Sequence, residues 1–323
     1  MPLLEVENLS VSLFQDGTET PVLSNMSYCV EPGETLALVG ESGSGKSVSS
    51  LAVMGLLAKS LRVTDGKIRF QGQDLLSLER EEMRKLRGRD ISMVFQEPMT
   101  SLNPVRSIGS QITESIEENL GLGRTQARNR SIDLLKEVGV ADAERRYKQY
   151  PHQFSGGMRQ RVMIAIALAA DPKLIIADEP TTALDVTIQA QILELMARIC
   201  REHGTALILI THNLGIVARY AQRLNVMYGG SMVESGQARM LYDKPRHPYT
   251  EGLLQSVPRL DQDRTIPLRP IQGSPADPFT PISGCRFHPR CRYATALCRS
   301  EVPTFTDGLA CHVPLSLAKK EAV

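Results

Sequence analysis

The stretch Gly40-Glu41-Ser42-Gly43-Ser44-Gly45-Lys46-Ser47 constrains this chain more than any other, because its spacing, G-x-x-x-x-G-K-S, is that of a loop that cradles phosphates. The apolar run Leu36-Ala37-Leu38-Val39 before it suits a buried strand, and Val48 to Leu57 after it is apolar enough for a helix. A glycine-rich turn between strand and helix lets backbone N–H groups point inward, where they and the helix dipole attract a polyphosphate. Gly40 through Val48 is therefore the expected nucleotide-binding run. Within it, Lys46 is expected to reach the β- and γ-phosphates and the Ser47 hydroxyl to ligate Mg²⁺. A plain glycine loop is the bland alternative, and the strand-then-helix setting argues against it.

At 323 residues the chain has room for one large α/β domain of roughly 230–250 residues and a smaller appendage. A formal net charge of +1 without a polybasic block gives no nucleic-acid footprint. No uninterrupted apolar run approaches membrane-spanning length, and Met1-Pro2-Leu3-Leu4-Glu5 lacks the basic start of a secretory leader. A cytoplasmic protein is expected, with any membrane association made through a partner. Cys29 and Cys200 stand alone in apolar surroundings, whereas Cys285, Cys291, Cys298 and Cys311 cluster near the end. In a reducing compartment such a cluster points to metal rather than to disulfides.

In chain order, Leu3 to Leu13 and Val22 to Val30 read as strands around a turn at Gln15-Asp16-Gly17, so the chain opens with an antiparallel β layer. A hairpin-like pair follows at Gly66–Phe70 and Gln71-Gly72-Gln73. Ile91-Ser92-Met93-Val94-Phe95-Gln96 reads as a buried strand whose polar end, Gln96, would face the ligand crevice of an open sheet. Helical spacing takes over from 98 to about 160, with Ile108, Ile112 and Ile116, then Ile132, Leu134, Leu135 and Val138. Ser155 is placed to cap the apolar helix that follows, and Gly156 and Gly157 would let backbone amides approach an anion.

Leu174-Ile175-Ile176-Ala177-Asp178-Glu179 reads as a buried parallel strand ending in two carboxylates. Asp178 suits the water shell of Mg²⁺ and Glu179 suits polarising an attacking water, although both could be helix-start acids. Asp185 follows in a turn, and a further strand, Ala206–Ile210, ends in Thr211-His212. Leu224–Met227 and Ser231–Glu234 read as a closing hairpin through Gly229-Gly230. Beyond Gly236 the prolines 245, 248, 258, 267, 270, 275, 278 and 281 mark an extended, loop-rich tail.

Taken in order, these motifs resemble the ATP-binding subunit of an ABC transporter. Gly40–Ser47 matches Walker A, Gln96 the Q-loop, Ser155-Gly156-Gly157 the signature, Leu174–Glu179 Walker B, Ala183-Leu184-Asp185 the D-loop and Thr211-His212 the switch-histidine loop. Phe95 to Pro104, Arg246-His247-Pro248-Tyr249-Thr250 and the cysteine set resemble the oligopeptide, dipeptide and nickel importer subfamily and extend the match over nearly the whole chain. The signature reads F-S-G-G-M, with Met158 where many relatives carry glutamine, and Asn213 stands where many carry aspartate. On the first strand Leu13 holds the register of the adenine-stacking aromatic, and a one-residue bulge would bring Phe14 to it.

The resemblance implies a P-loop NTPase core of the α/β class with an antiparallel β layer and a helical insertion (about 98–160), spanning 1–240, and a small cysteine-containing extension over 241–323. It implies an ATPase that powers import of a peptide, or alternatively of nickel or another small solute, at the cytoplasmic face of the inner membrane. Lys46 and the loop amides would hold ATP, Ser47, Gln96 and Asp178 would serve Mg²⁺, Glu179 would orient water and His212 would sense the γ-phosphate. Ser155, Gly156, Gly157 and Asp185 would act on the nucleotide of a second ATPase subunit, a homologue. Two transmembrane permease subunits and a periplasmic or extracellular solute-binding protein would complete the assembly. Cys285, Cys291, Cys298 and Cys311 would carry a 4Fe-4S cluster, with zinc as the generic alternative. A soluble ABC ATPase acting on nucleic acid is a rival that the balanced charge disfavours; a metal-dependent regulator with a vestigial site is disfavoured because no motif residue is missing.

Overall fold

The computed structural model describes residues 1–96, 101–181, 184–217, 219–256, 270–277, 279–280 and 282–318. Residues 97–100 of the extended glutamine motif, Ala183, and the prolines 258, 267, 278 and 281 lie outside the described residues. The strands, in chain order, are β1 (Leu4–Gln15), β2 (Thr18–Val30), β3 (Thr35–Val39), β4 (Leu61–Phe70), β5 (Gln73–Asp74), β6 (Ile91–Val94), β7 (Leu174–Asp178), β8 (Ala206–Thr211), β9 (Arg223–Tyr228) and β10 (Ser231–Gln237). Contacts divide the chain into two compact units, Met1–Val30 with Leu36–Leu76 and Thr211–Val323, and Glu31–Thr35 with Ser77–Ile210.

In the first unit an antiparallel sheet runs in the order β2-β1-β4-β5. Asp16 and Gly17 turn the chain from β1 into β2 with φ of 51° and 77°, the left-handed pair that matches the twist of a two-residue hairpin. Leu4, Val6, Leu9 and Val11 are buried, and the change of spacing after Val6 is taken up by register shifts between Val6, Leu9, Val11 and Ser12. β4 begins at Leu61, five residues before the expected hairpin arm, because it pairs along most of β1. β3, whose Leu36 to Val39 are fully buried, pairs in parallel with β9, and β9 returns antiparallel into β10. These apolar residues have nowhere else to go, and β3 delivers the chain directly into Gly40.

The tail is more ordered than its prolines suggest, with helices at Ala238–Asp243, Pro248–Gln255, Ala296–Ser300 and Leu315–Ala318. The reason lies in two buried polar groups. Glu234 is fully buried on β10, and its carboxylate accepts the backbone N–H groups of Arg246 (2.8 Å) and His247 (3.0 Å). His247 then caps the helix Pro248–Gln255 by accepting the Tyr249 N–H at Nδ1, 3.0 Å, with proline at the first helical position where no N–H is needed.

In the second unit β6, β7 and β8 are parallel neighbours. β6 ends at Val94, so Phe95 and Gln96 lie beyond the strand rather than within it. The helices Ile108–Leu120 and Arg124–Glu137 form the expected insertion: Ser107 caps the first, and Ile108, Ile112 and Ile116, four residues apart, are wholly buried. Thr113 satisfies its buried hydroxyl against Ser131 (2.9 Å) and Tyr147 (2.8 Å). The helix Gly156–Ala167 starts at the two glycines, where Ser155 caps it as its position after Phe154 leads one to expect.

Burial pushes the His247 imidazole down from 6.5 to about 3. Between those values the unfolded chain binds a proton that the folded chain refuses, so this contribution to stability is complete above pH 6.5 and is lost as the pH falls from there toward 3. Acidification from pH 7.5 to 5 is expected to cost about 2 kcal/mol through this one group. Chemical denaturation at the two pH values measures it; in His247→Asn, whose side chain still caps but does not titrate, that increment should vanish.

Candidate nucleotide-binding site

The phosphate loop leaves β3 at Gly40, and its glycines are dictated by close approach. A Cβ on Gly40 would lie 2.3 Å from the Met227 carbonyl oxygen, and one on Gly45, at φ +96°, would lie 2.3 Å from Leu23 Cδ2. Only glycine lets the loop fold this tightly over β9 and β2. The helix Lys46–Val53 starts without a side-chain cap and without an acidic residue in its first turn, so its N-terminal amides are not claimed by a carboxylate or hydroxyl of the cap. Lys46 is 4% exposed, and its ammonium donates to the carbonyls of Gly40 (2.8 Å) and Glu41 (2.9 Å) and to the Ser44 hydroxyl (3.4 Å). Carbonyl dipoles thus replace part of the hydration this buried cation gives up. A close-packed glycine loop around a buried cation, leading into a helix with no side-chain cap, suits a polyphosphate.

In the second unit Asp178 closes β7, nearly buried, opposite Ile210 of β8. Glu179 comes next and adopts φ +44°, a left-handed conformation that a non-glycine residue enters at a cost. Its N–H donates to the Ile210 carbonyl (3.0 Å), which holds the turn, and its carboxylate accepts the Gln96 side-chain N–H at 3.3 Å. The structure thus brings Gln96 and Glu179 together. The sequence had no signal for the strained backbone that turns Glu179 out of the strand.

Ser155 accepts the Met158 N–H at 3.4 Å and is exposed, as is Gly156. Gly157 has a packing reason of its own: a Cβ there would lie 2.9 Å from Ile188 Cγ2. Asp185 caps the helix Val186–His203 by accepting the Ile188 N–H at 3.0 Å, so at least one of its roles is local. In the first unit Thr211 ends β8 and accepts the Asn213 N–H at 3.1 Å, and His212 is exposed beside it. Phe14 lies near the end of β1 beyond the irregular stretch, with the Arg62 guanidinium 5.1 Å from its ring centroid. That cation over one face leaves it half-exposed.

The four tail cysteines are free thiols that feel one another electrostatically. Burial, with smaller contributions from neighbouring thiols, raises Cys285 and pushes Cys291 up to about 11 and Cys311 up to about 12. Their donor chemistry is that of a soft-metal set, yet among the described residues no group of three or more His, Cys, Asp or Glu side chains is arranged to hold a metal ion.

Residues 23–182 match the family model described as ABC transporter, and residues 233–298 match the one described as oligopeptide/dipeptide transporter, C-terminal region. The dipeptide transport ATP-binding protein DppD of Escherichia coli (strain K12) is 48% identical over 320 residues, covering 98% of this chain and 98% of that protein. The oligopeptide transport ATP-binding protein AppD of Bacillus subtilis (strain 168) is 50% identical over 303 residues, 94% of this chain and 92% of its own length. Among solved structures, the dimeric post-hydrolysis state of the ATP-binding cassette MJ0796 bound to ADP and Pi superposes with a TM-score of 0.65 at 26% identity, covering 73% of this chain and 99% of that one.

Lys46→Ala should abolish the charge that the loop is built around. Nucleotide affinity is expected to fall by two or more orders of magnitude (roughly 3 kcal/mol or more) while the chain stays folded. Equilibrium binding of ATP together with circular dichroism checks both halves of that statement.

Proposed function

The chain belongs to the ATP-binding subunits of ABC transporters, and from that premise we propose that it hydrolyses ATP to power an importer of peptides. The observation that carries the peptide assignment is the near-full-length similarity to dipeptide and oligopeptide transport subunits, including the C-terminal region. The chemical assignment rests on the buried Lys46 within a glycine cradle.

Phosphoryl transfer asks little covalent chemistry of a protein and much positioning and charge neutralisation. Lys46 and the amides of Gly40–Ser47 hold the β- and γ-phosphates. Bound Mg²⁺ would be served by Ser47, Gln96 and Asp178, and it would offset charge on the transferred phosphate. Glu179 orients and polarises the attacking water, and the Gln96 hydrogen bond restrains its carboxylate before the reaction. His212 senses the γ-phosphate. Phe14 stacks on adenine, with Val48 completing the binding run.

Each chain offers Ser155, Gly156, Gly157 and Asp185 to the nucleotide of a second ATPase subunit, a homologue. The exposure of Ser155 and Gly156 supports that reading. No helix among the described residues is long and apolar enough to cross a membrane; two transmembrane permease subunits, fed by a solute-binding protein, would hold the chain at the cytoplasmic face. The ATPase domain is assigned to 1–240 and the peptide-importer extension to 241–323. The finer assignment of a 4Fe-4S cluster to Cys285, Cys291, Cys298 and Cys311 is supported by their donor chemistry and mutual electrostatic influence alone, and no step of hydrolysis passes through it.

Two outcomes follow. Glu179→Gln should bind ATP with near-native affinity, lose turnover by roughly 10²–10⁴-fold and accumulate as an ATP-bound dimer; single-turnover kinetics and gel filtration with ATP check it, and native hydrolysis in that variant would remove Glu179 from the role of base. Anaerobically purified protein should show a brown chromophore with iron and sulfide in equal amounts, whereas colourless protein free of both would withdraw the cluster.

A further inference from the structure

The subfamily motif Arg246-His247-Pro248-Tyr249-Thr250 and the cysteine-rich tail are not used by the chemistry above, yet both converge on one residue of the phosphate loop. That residue is Glu41. Its backbone N–H donates to the Tyr249 hydroxyl at 2.8 Å, across 208 positions of sequence. Its carboxylate accepts two parallel hydrogen bonds from Arg290, Nη1 to Oε2 at 2.5 Å and Nη2 to Oε1 at 3.0 Å. Its carbonyl accepts the Lys46 ammonium. All three polar parts of Glu41 are thus held, two of them by the C-terminal segment.

Arg290 is built into this place. Its side chain is 5% exposed, and every guanidinium nitrogen is engaged: Nε with the Gln272 carbonyl (2.9 Å), Nη2 also with the Ile271 carbonyl (3.4 Å), and Nη1 also with the Tyr228 hydroxyl (3.4 Å). A bidentate pair of this kind, with its arginine buried and its carboxylate partly exposed, fixes geometry as well as charge. Tyr249 is fully buried and packs against Tyr228 and Phe287, with ring centroids 4.7 and 5.3 Å away. Nearby, Arg286 donates to the Gly229 carbonyl and to Ser24, and the adjoining Gly230 N–H donates to the Ser44 carbonyl.

A carboxylate on a loop that receives a polyphosphate is a liability, because it repels the ligand and competes for Lys46. We propose that Arg290 and Tyr249 are positioning residues of the phosphate loop, acting through Glu41: Arg290 neutralises and turns its carboxylate toward the tail, and Tyr249 fixes its amide, so ATP affinity depends on the C-terminal segment. This rests on the reading that the loop binds ATP.

The test is ATP affinity, kcat, KM and melting temperature of the full-length chain for Arg290→Ala, Glu41→Ala, their double variant, Arg290→Lys, Tyr249→Phe and Lys46→Ala. Arg290→Ala should weaken ATP binding roughly tenfold, the double variant should bind no more weakly than the weaker single one, and melting temperatures should fall independently of that coupling. Arg290→Lys keeps a cation but not the fork and should rescue little; it also serves if Arg290→Ala fails to fold. Tyr249→Phe keeps the ring and should weaken binding severalfold through a raised KM. Independent effects of Arg290 and Glu41 on affinity, or native ATP affinity in Arg290→Lys and Tyr249→Phe, would overturn the inference. If Lys46→Ala loses ATP while those variants keep it, only the tail's role fails; if Lys46→Ala binds ATP normally, the ATPase reading itself fails.

Discussion

A lysine ammonium buried inside a loop of glycines is the constraint on which the first unit depends. Taking a cation out of water is costly unless opposing charge or oriented dipoles replace the lost hydration. Here the carbonyls of Gly40 and Glu41 supply the dipoles, and the glycines allow the backbone to come close enough to do so. The buried strand β3 anchors one end of the loop and the helix Lys46–Val53 the other. Much of what surrounds them serves to hold the loop in shape: Leu23 under Gly45, Met227 beside Gly40, and the Gly230 amide on Ser44.

In the second unit the same economy is visible in different chemistry. A parallel strand of wholly buried residues carries Asp178 to its end, and one strained residue redirects the chain at Glu179. Strain there is tolerated because the Ile210 carbonyl captures the amide and Gln96 captures the carboxylate. The arrangement fixes the Glu179 carboxylate in place, and under the proposed role that spares reorganisation at the barrier.

Local patterns told much of this in advance. Alternation placed β1 and β2, four-residue spacing placed the buried isoleucines of the insertion, and fixed spacing placed the phosphate loop. Boundaries moved where tertiary pairing decided them: β4 is longer because β1 offers partners, and β6 is shorter because Phe95 and Gln96 leave the sheet. The tail was read as extended from its prolines, but buried Glu234 collects two amides and nucleates a helix there, an effect with no local signature. Arg290 was invisible for the same reason, since its partner lies 249 residues away. The cysteine spacing announced donor chemistry correctly as composition, but it does not encode whether four thiols converge, and among the described residues they do not form a metal-holding group.

The central claim is that hydrolysis at this loop drives peptide movement. Its most direct measurement is accumulation of a radiolabelled dipeptide or short oligopeptide by proteoliposomes holding this chain assembled with its permease subunits and the solute-binding protein, with ATP supplied on the side of this chain. The account predicts uptake that requires ATP and is accompanied by phosphate release in a constant ratio. Phosphate release that continues unchanged with no peptide accumulated, whichever peptide is offered, would contradict it.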